Sequence, residues 1–235
     1  AQQRLLDALG VRRIRLVLGG SLGGMQALQW GAMDSRVEAA AVLAAPARHS
    51  PWAIALNEAQ RAAIAADPRW CGGAYAPERP PTQGLAAARM LAMCTYRSPQ
   101  GLAARFDPEL DGAEPRVVGW LRHHGRSLVE RFDAGSYVAL TRAMDTHDVG
   151  RDRGGVASAL AAIRIPVLVV AIDSDRLYPA EEVGELAAAL PEGQLETLRS
   201  PHGHDAFLIE SDAVDGLLRC FRARRPAPAA VRLAS

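Results

Sequence analysis

The stretch "RLVLGGSLGGMQALQW", from Arg15 to Trp30, decides the fold of this chain. Four glycines surround one serine, Ser21, between an apolar run typical of a strand and a segment with helical spacing. Three kinds of loop follow a strand in this way: a dinucleotide-binding fingerprint, a phosphate-binding P-loop, and the turn that presents a nucleophilic serine.

Both phosphate-binding patterns fail on specific residues. A dinucleotide fingerprint needs a glycine two positions after its first glycine, and after Gly19 that position is Ser21. A P-loop ends in Gly-Lys-Ser/Thr, but Met25 follows Gly24 and the chain contains no lysine. The sequence therefore does not predict a phosphate-binding loop here.

The third pattern, G-x-S-x-G, is met by Gly19, Ser21 and Gly23. It predicts a strained strand-to-helix turn with Ser21 as nucleophile and the backbone N–H of Leu22 facing a developing oxyanion. Glycines are needed because helix and strand must pack closely around the turn. A plain glycine turn, whose serine only caps the helix, is the alternative.

Composition indicates one globular unit and excludes several classes of function. The chain has 235 residues, 49% hydrophobic content and a net charge of +1, which gives no reason to expect nucleic-acid binding. No run of residues is apolar enough to predict a membrane span. The cysteines Cys71, Cys94 and Cys220 are scattered and odd in number, which favours a reducing compartment, and we expect a cytoplasmic protein.

Strand and helix patterns alternate along the chain and predict a mainly parallel α/β sheet. Strands are predicted at 13–18, 37–47, 165–173 and 193–200. The segment 48–160 is predicted to be a helical cap inserted into the sheet domain, and 224–235 to be a flexible tail. The predicted organisation is therefore 1–47 for the start of the core, 48–160 for the cap, 161–223 for the rest of the core and 224–235 for the tail.

Acidic and histidine side chains follow the last two predicted strands. Asp173 and Asp175 come after the first of them, and His202 and His204 come after the second. This chain order of serine, acid and histidine is the order of a hydrolase-type triad in an α/β fold. The carboxyl ends of parallel strands lie at one edge, so these side chains are predicted to meet Ser21 there. Which acid and which histidine take part stays open at this point.

Six segments together resemble the homoserine O-acyltransferases, an α/β-hydrolase family with a mostly parallel sheet flanked by helices. In chain order they are "GGSLGGMQALQW", "ALNEAQRAAI", "GLAAARMLAMCTYRS", "SYVALTRAMDTHDVGRDRGG", "SDRLYP" and "GHDAFL". Leu22 and Tyr178 stand where the family often has Met and Phe, and we expect neither difference to affect the chemistry.

The resemblance implies roles for particular residues. Asp175 and His204 complete the triad with Ser21. Asp205 would hold the substrate ammonium group, Arg89 would pair with its carboxylate, and Tyr96 would line the same pocket. An arginine suits a carboxylate and an aspartate suits an ammonium group, so these charges complement an amino acid. The alternatives are that Arg89 lies on a solvated helix face and that Asp205 caps the last helix.

The activity implied by the resemblance is ping-pong transfer of an acetyl group from acetyl-CoA to L-homoserine through an acylated Ser21, in methionine biosynthesis. Succinyl-CoA as donor and L-serine as acceptor are the alternatives within this reading. A plain esterase of the same fold and a non-catalytic remnant are the alternatives outside it. The family also implies a homodimer. We expect no cofactor and no metal, because His123, His124 and His147 lack convergent ligand spacing.

The family also implies a longer segment before the nucleophile turn, with further strands and the loop that gives the second oxyanion donor. We therefore expect this chain to be the C-terminal two-thirds of such an enzyme, with those N-terminal strands missing. Losing one oxyanion donor typically costs about 10²- to 10³-fold in rate. An exposed sheet edge invites aggregation. The isolated chain is thus predicted to be poorly stable and largely inactive.

Overall fold

The computed structural model describes residues 1–106 and 110–224, and all structural statements refer to them. Strands in this part of the chain are β1 Val17–Gly20, β2 Ala40–Leu43, β3 Leu110–Asp111, β4 Glu114–Pro115, β5 Val167–Ile172 and β6 Gly193–Leu198. Helices are α1 Gln2–Ala8, α2 Leu22–Met33, α3 Pro51–Ala65, α4 Thr82–Tyr96, α5 Pro99–Phe106, α6 Arg116–Val129, α7 Ala134–Asp145, α8 Val156–Ala162, α9 Ala180–Ala189, α10 Ala206–Ile209 and α11 Ser211–Ala223.

Four of these strands form a parallel sheet in the order β1-β2-β5-β6. The predicted parallel α/β fold is therefore present. Because the four strands are parallel, their carboxyl ends share one edge of the sheet. Helices follow β1, β5 and β6. The nucleophile turn follows β1 at this edge, and the loops after β5 and β6 carry the predicted acid and histidine.

The strand bounds differ from the predicted ones, most clearly at the first strand. The prediction was 13–18, but β1 is Val17–Gly20, and Ile14 makes only an isolated bridge to Val37. The strand extends into the glycines because a residue without a side chain lets the following helix pack against it. The other predicted strands are found in shorter form, with β2 reduced from 37–47 to Ala40–Leu43.

The two central strands are buried on both faces. Along β5, Val167, Val169 and Ala171 face one apolar cluster, while Leu168, Val170 and Ile172 face the other. The first cluster is completed by α2, α8 and α9, and the second by α11 through Phe221. This explains the continuous apolar run in the sequence, because a strand covered by helices on both faces has no polar side.

The middle of the chain is helical, as predicted, apart from the short antiparallel hairpin of β3 and β4. Helices α3, α4, α6 and α7 pack around their own apolar cluster, with Ile64, Leu85 and Leu128 at its centre. Helix α3 begins where Ser50 accepts a hydrogen bond from Ala53 N and proline occupies the first turn. The division at residues 48 and 160 stays a prediction, and residues 225–235 of the predicted tail lie outside the described residues.

Candidate active site

Ser21 lies between β1 and α2 in a conformation that serine rarely adopts. Its φ is 54° and its ψ is −123°. Its N–H donates to Leu43 O at 2.9 Å, and its carbonyl accepts from Met25 N at 3.1 Å, so sheet and helix hold it from both sides. Such strain at a strand-to-helix turn is typical of a nucleophile elbow. The serine makes no side-chain capping hydrogen bond to α2, which disfavours the capping alternative.

The glycines of the turn are not equally restricted. A Cβ at Gly19 would overlap the backbone of Gly23, and one at Gly24 would lie 2.7 Å from Ala45 Cβ. A Cβ at Gly23 would meet nothing within 4 Å. Gly19 and Gly24 are therefore the positions where the missing side chain permits close packing. Gly23 takes part through its backbone, which lies against Gly19.

Asp175 and His204 form a buried hydrogen-bonded pair at the same edge of the sheet. His204 Nδ1 lies 2.7 Å from Asp175 Oδ2, and the two side chains are 4% and 0% exposed. The other carboxylate oxygen accepts the N–H groups of Leu177, at 2.7 Å, and Tyr178, at 3.1 Å. Because both oxygens of Asp175 are occupied, the carboxylate fixes one orientation of the imidazole and leaves Nε2 as its acceptor nitrogen.

The structure distinguishes Asp175 and His204 from their sequence neighbours. Asp173 is exposed and accepts the backbone N–H of Ser200 at 3.0 Å, which ties the end of β5 to the histidine loop. His202 is partly exposed and lies 3.9 Å from Glu210 Oε1. Neither residue belongs to the buried pair.

Two aromatic rings connect His204 with the serine turn. The His204 ring packs edge-on against Tyr178, at 5.3 Å between centroids, and against Phe207, at 5.6 Å. Phe207 covers Gly20, where a Cβ would overlap its ring. Tyr178 is 1% exposed, and burial raises its pKa. The structure therefore brings Ser21, Asp175 and His204 into one neighbourhood.

The cap contributes the end of α4 to this neighbourhood. The Tyr96 ring lies 5.9 Å from that of His204, and the Arg89 guanidinium lies 5.3 Å from the Tyr96 ring centroid. Burial raises the pKa of Tyr96, which keeps its hydroxyl neutral. The loop before His204 packs tightly on the same helix end, because Gly203, with a φ of 68°, leaves no space for a Cβ beside Tyr96 and Ser98. Arg89 and Tyr96 thus lie on the side of the cap that faces His204, and their roles stay a prediction.

Asp205 has a partner that the sequence did not indicate. Its Oδ2 lies 3.2 Å from Arg97 Nε, and both side chains are about one-fifth exposed. The contact is bent, since Arg97 Nε has no aligned hydrogen bond among the described residues. Burial raises the pKa of Asp205, while Arg97, His204 and Arg89 lower it. The carboxylate is therefore surrounded by positive charge, and no side-chain capping bond joins it to α10.

Comparison with known proteins shows the family of this chain. Residues 1–211 match the family described as the alpha/beta hydrolase fold. The chain belongs to the α/β-hydrolase family. This α/β hydrolase is 51% identical over 227 residues to a homoserine O-acetyltransferase from Chloroherpeton thalassium, covering 96% of this chain and 60% of the relative.

Solved structures of other α/β hydrolases superimpose closely. A homoserine O-acetyltransferase from Staphylococcus aureus gives a TM-score of 0.78 at 30% identity, covering 96% of this chain and 64% of that one. Esterase E22 gives a TM-score of 0.83 at 26% identity, covering 94% and 64%. The chain spans 60% to 65% of the length of the first curated relatives that it matches.

Sequence reasoning missed three residues at the site of this α/β hydrolase: Tyr178, His49 and Arg97. The Tyr178 hydroxyl lies 3.0 Å from His49 Nε2, and the expectation that this residue does not affect the chemistry stays a prediction. His49 follows the carboxyl end of β2, the edge where ligands meet such sheets, and this position was the available signal. Arg97 gave no signal beyond its place next to Tyr96.

The described residues contain neither a metal-binding cluster nor a membrane-spanning helix. Among residues 1–106 and 110–224, no group of three or more His, Cys, Asp or Glu side chains could hold a metal ion. Over the same ranges, no helix is both long enough and apolar enough to cross a bilayer. The absence of a cofactor and of a resident metal stays a prediction.

Proposed function

We propose that this chain carries the catalytic centre of a homoserine O-acetyltransferase, which moves the acetyl group of acetyl-CoA to the hydroxyl of L-homoserine. The observation that carries the proposal is the partly buried Asp205 carboxylate, which stands beside His204 and within electrostatic reach of Arg89. A negative and a positive group beside a nucleophile complement the ammonium and carboxylate groups of an amino acid.

The proposed reaction has two steps at one serine. Ser21 gives its proton to His204 Nε2 and attacks the thioester carbon, with the N–H of Leu22 stabilising the oxyanion. Collapse of the intermediate breaks the carbon–sulfur bond, and His204 returns the proton to the leaving thiolate of CoA. Asp175 stabilises the imidazolium through the 2.7 Å contact, both when His204 takes the serine proton and when it returns a proton to the thiolate.

In the second step the acceptor hydroxyl gives its proton to His204 and attacks the acetyl-Ser21 ester. The carbon–oxygen bond to Ser21 breaks, Ser21 recovers its proton from His204, and O-acetyl-L-homoserine leaves. Transfer exceeds hydrolysis only where water is kept out and the acceptor is held in line. We assign this function to the cap helices, with Arg89, Tyr96 and Asp205 as the acceptor pocket.

The proposal is tested with a thiol-release assay on the 235-residue chain and on the natural gene product that contains it. Acetyl-CoA with L-homoserine is expected to release CoA and form O-acetyl-L-homoserine in equal amounts, with the isolated chain at least about 100-fold slower if an oxyanion donor is lost. Succinyl-CoA and L-serine replace each substrate in turn. CoA release that needs no acceptor would indicate a hydrolase, and no release from either protein would indicate a remnant.

Arg89 gives the sharper test of substrate class. Arg89→Gln is expected to raise KM for L-homoserine about 10- to 100-fold, the range of one charge-assisted hydrogen bond. Arg122→Gln is the matched control, since Arg122 pairs with Glu114 at 2.8 Å on the exposed surface of the cap. Equal effects of both variants on KM would contradict the proposed pocket. Homodimer formation and a cytoplasmic location stay predictions from the resemblance.

A further inference from the structure

A pair of opposite charges stands beside His204, where the cap meets the sheet domain. Asp205 follows His204 directly, and its Oδ2 lies 3.2 Å from Arg97 Nε. Arg97 is the residue after α4 of the cap, whereas Asp205 lies in the turn that follows β6. The two side chains therefore meet across the junction, next to the proposed base.

The backbone on both sides of this junction is fixed. A Cβ on Gly203 would stand 2.6 Å from Ser98 N and 2.7 Å from the carbonyl carbon of Arg97, so the two segments are in close contact. The Ser98 hydroxyl bonds to Pro201 O and joins the same segments a second time. Packed backbone, and not the ion pair alone, thus holds Arg97 next to Asp205.

The Arg97 guanidinium uses only one of its nitrogens in this contact. Its Nε is buried and faces Asp205, but it has no aligned hydrogen bond within residues 1–106 and 110–224. Over the same ranges its two Nη groups have no hydrogen-bond partner either, and neither of them is buried, while the side chain as a whole is 20% exposed. Arg97 therefore presents open N–H donors at the edge of the pair.

The Asp205 carboxylate is also only partly used. Its side chain is 19% exposed, and among the described residues Arg97 is its one ion-pair partner. Open carboxylate lone pairs next to open guanidinium donors complement a ligand that has an ammonium group next to a carboxylate. An α-amino acid carries both groups on one carbon, so the side chains that bind them must be neighbours too. The 3.2 Å contact of Arg97 with Asp205 meets this condition.

We propose that Arg97 is a specificity-determining residue of the acceptor pocket, whose Nη groups bind the carboxylate of the amino-acid acceptor while Asp205 binds its ammonium group. Arg89, over the Tyr96 ring at 5.3 Å, is the second arginine of the pocket. Both oxygens of a carboxylate accept hydrogen bonds, so the two arginines can share it. The inference rests on the proposed function, since it concerns the acceptor of the second step.

The charge of Arg97 supplies the selection. An acceptor with an ammonium group but no carboxylate would approach Asp205 with the Arg97 charge close by and uncompensated, and like charges repel. The carboxylate of an amino acid removes this repulsion and gains hydrogen bonds from the Nη groups. Arg97 should therefore favour amino acids over amino alcohols through both a gain for the first and a penalty for the second.

The test compares L-homoserine with 3-aminopropan-1-ol, which has the same hydroxyl and ammonium groups but no carboxylate. The gene product that contains this chain is turned over with p-nitrophenyl acetate as acetyl donor at about pH 8, above the ordinary range of a carboxyl group, and each acceptor is varied to give its kcat/KM. Arg97→Gln is expected to lower kcat/KM for L-homoserine about 10- to 100-fold, the range of one charge-assisted hydrogen bond, and that for 3-aminopropan-1-ol by at most about threefold. Equal losses for both acceptors, or no loss for L-homoserine, would overturn the proposal.

Arg36→Gln is the matched control. The Arg36 side chain is also 20% exposed and pairs with Asp34 at 2.7 Å, but it precedes β2, at the opposite edge of the sheet from the triad. It should leave the ratio of the two kcat/KM values within about twofold of that of the unaltered protein. The amplitude of the p-nitrophenolate burst gives the folded, active fraction of each variant, so a loss of folding is not mistaken for a loss of specificity.

A second measurement needs no arginine variant. In a crystal structure of Ser21→Ala with L-homoserine, the acceptor carboxylate is expected within hydrogen-bond distance of an Arg97 Nη group. A carboxylate held by Arg89 alone would overturn the proposal. If L-homoserine does not speed turnover of the unaltered protein, the proposed function fails and this inference falls with it, whereas faster turnover with equal losses for the two acceptors in Arg97→Gln overturns the inference alone.

Discussion

Replacing Asp175 by asparagine should nearly abolish acylation of Ser21 while leaving the fold intact. In the protein, Asp175 Oδ1 accepts two backbone N–H groups, at 2.7 and 3.1 Å, and Oδ2 faces His204 Nδ1 at 2.7 Å. Asparagine can keep its oxygen on the two N–H groups only by turning its NH₂ toward His204. The reversed orientation would leave those buried N–H groups unpaired, at about 1–3 kcal/mol each.

The asparagine NH₂ forces His204 to accept at Nδ1 and to carry its proton on Nε2. That nitrogen can then no longer take the serine proton. In serine triads this tautomer error lowers kcat by about 10⁴-fold, which corresponds to about 5 kcal/mol of transition-state stabilisation.

The assay is the burst phase with p-nitrophenyl acetate, together with thiol release from acetyl-CoA. Asp173→Asn is the control, since the exposed Asp173 accepts a single N–H from Ser200 and asparagine can accept the same bond. We expect the control to stay within about threefold of the unaltered protein. A loss below 10-fold for Asp175→Asn would refute the assigned role of the pair.

Three further predictions concern the glycine turn, the cap and pH. Gly19→Ala should prevent folding or cost several kcal/mol, whereas Gly23→Ala, with no atom within 4 Å of its added Cβ, should stay folded; equal melting temperatures would contradict this. Arg97→Gln should raise the pKa of Asp205, because the Arg97 charge lowers it. In the pH profile of kcat/KM for homoserine, the acidic limb should therefore move to higher pH, and an unmoved limb would exclude the ion pair. Burial lowers the pKa of His49, so on acidification the unfolded chain binds this proton before the folded chain does, and the free energy of unfolding should fall as pH drops below about 6.5. Urea titrations of His49→Gln should show a free energy of unfolding that depends less steeply on pH.

The sheet could be predicted, and the candidate triad proposed, because their signals in the sequence are local. An apolar run ended by glycines predicts a strand and its turn, and the order of serine, acid and histidine follows from parallel strands that end at one edge. The choice between Asp173 and Asp175 is different. Sequence spacing alone left it open, and the structure shows only Asp175 buried against the histidine.

The contact between Tyr178 and His49 could not be predicted, because these residues meet only in the folded chain. Tyr178 and His49 are 129 residues apart in sequence. A lone tyrosine is most simply interpreted as a packed ring, and whether its hydroxyl finds a partner depends on tertiary contacts. The ion pair of Arg97 and Asp205 could not be predicted for the same reason, since it joins the end of α4 to a loop beyond β6.

Acylation of Ser21 by acetyl-CoA is the central claim, and peptide mapping by mass spectrometry after rapid acid quench tests it most directly. The account predicts an acetyl group on the peptide that contains Ser21, lost on addition of L-homoserine with an equal amount of O-acetyl-L-homoserine formed, and absent from Ser21→Ala. Turnover by Ser21→Ala at a comparable rate, or acetyl transfer with no acetyl group on Ser21 at any time, would contradict it.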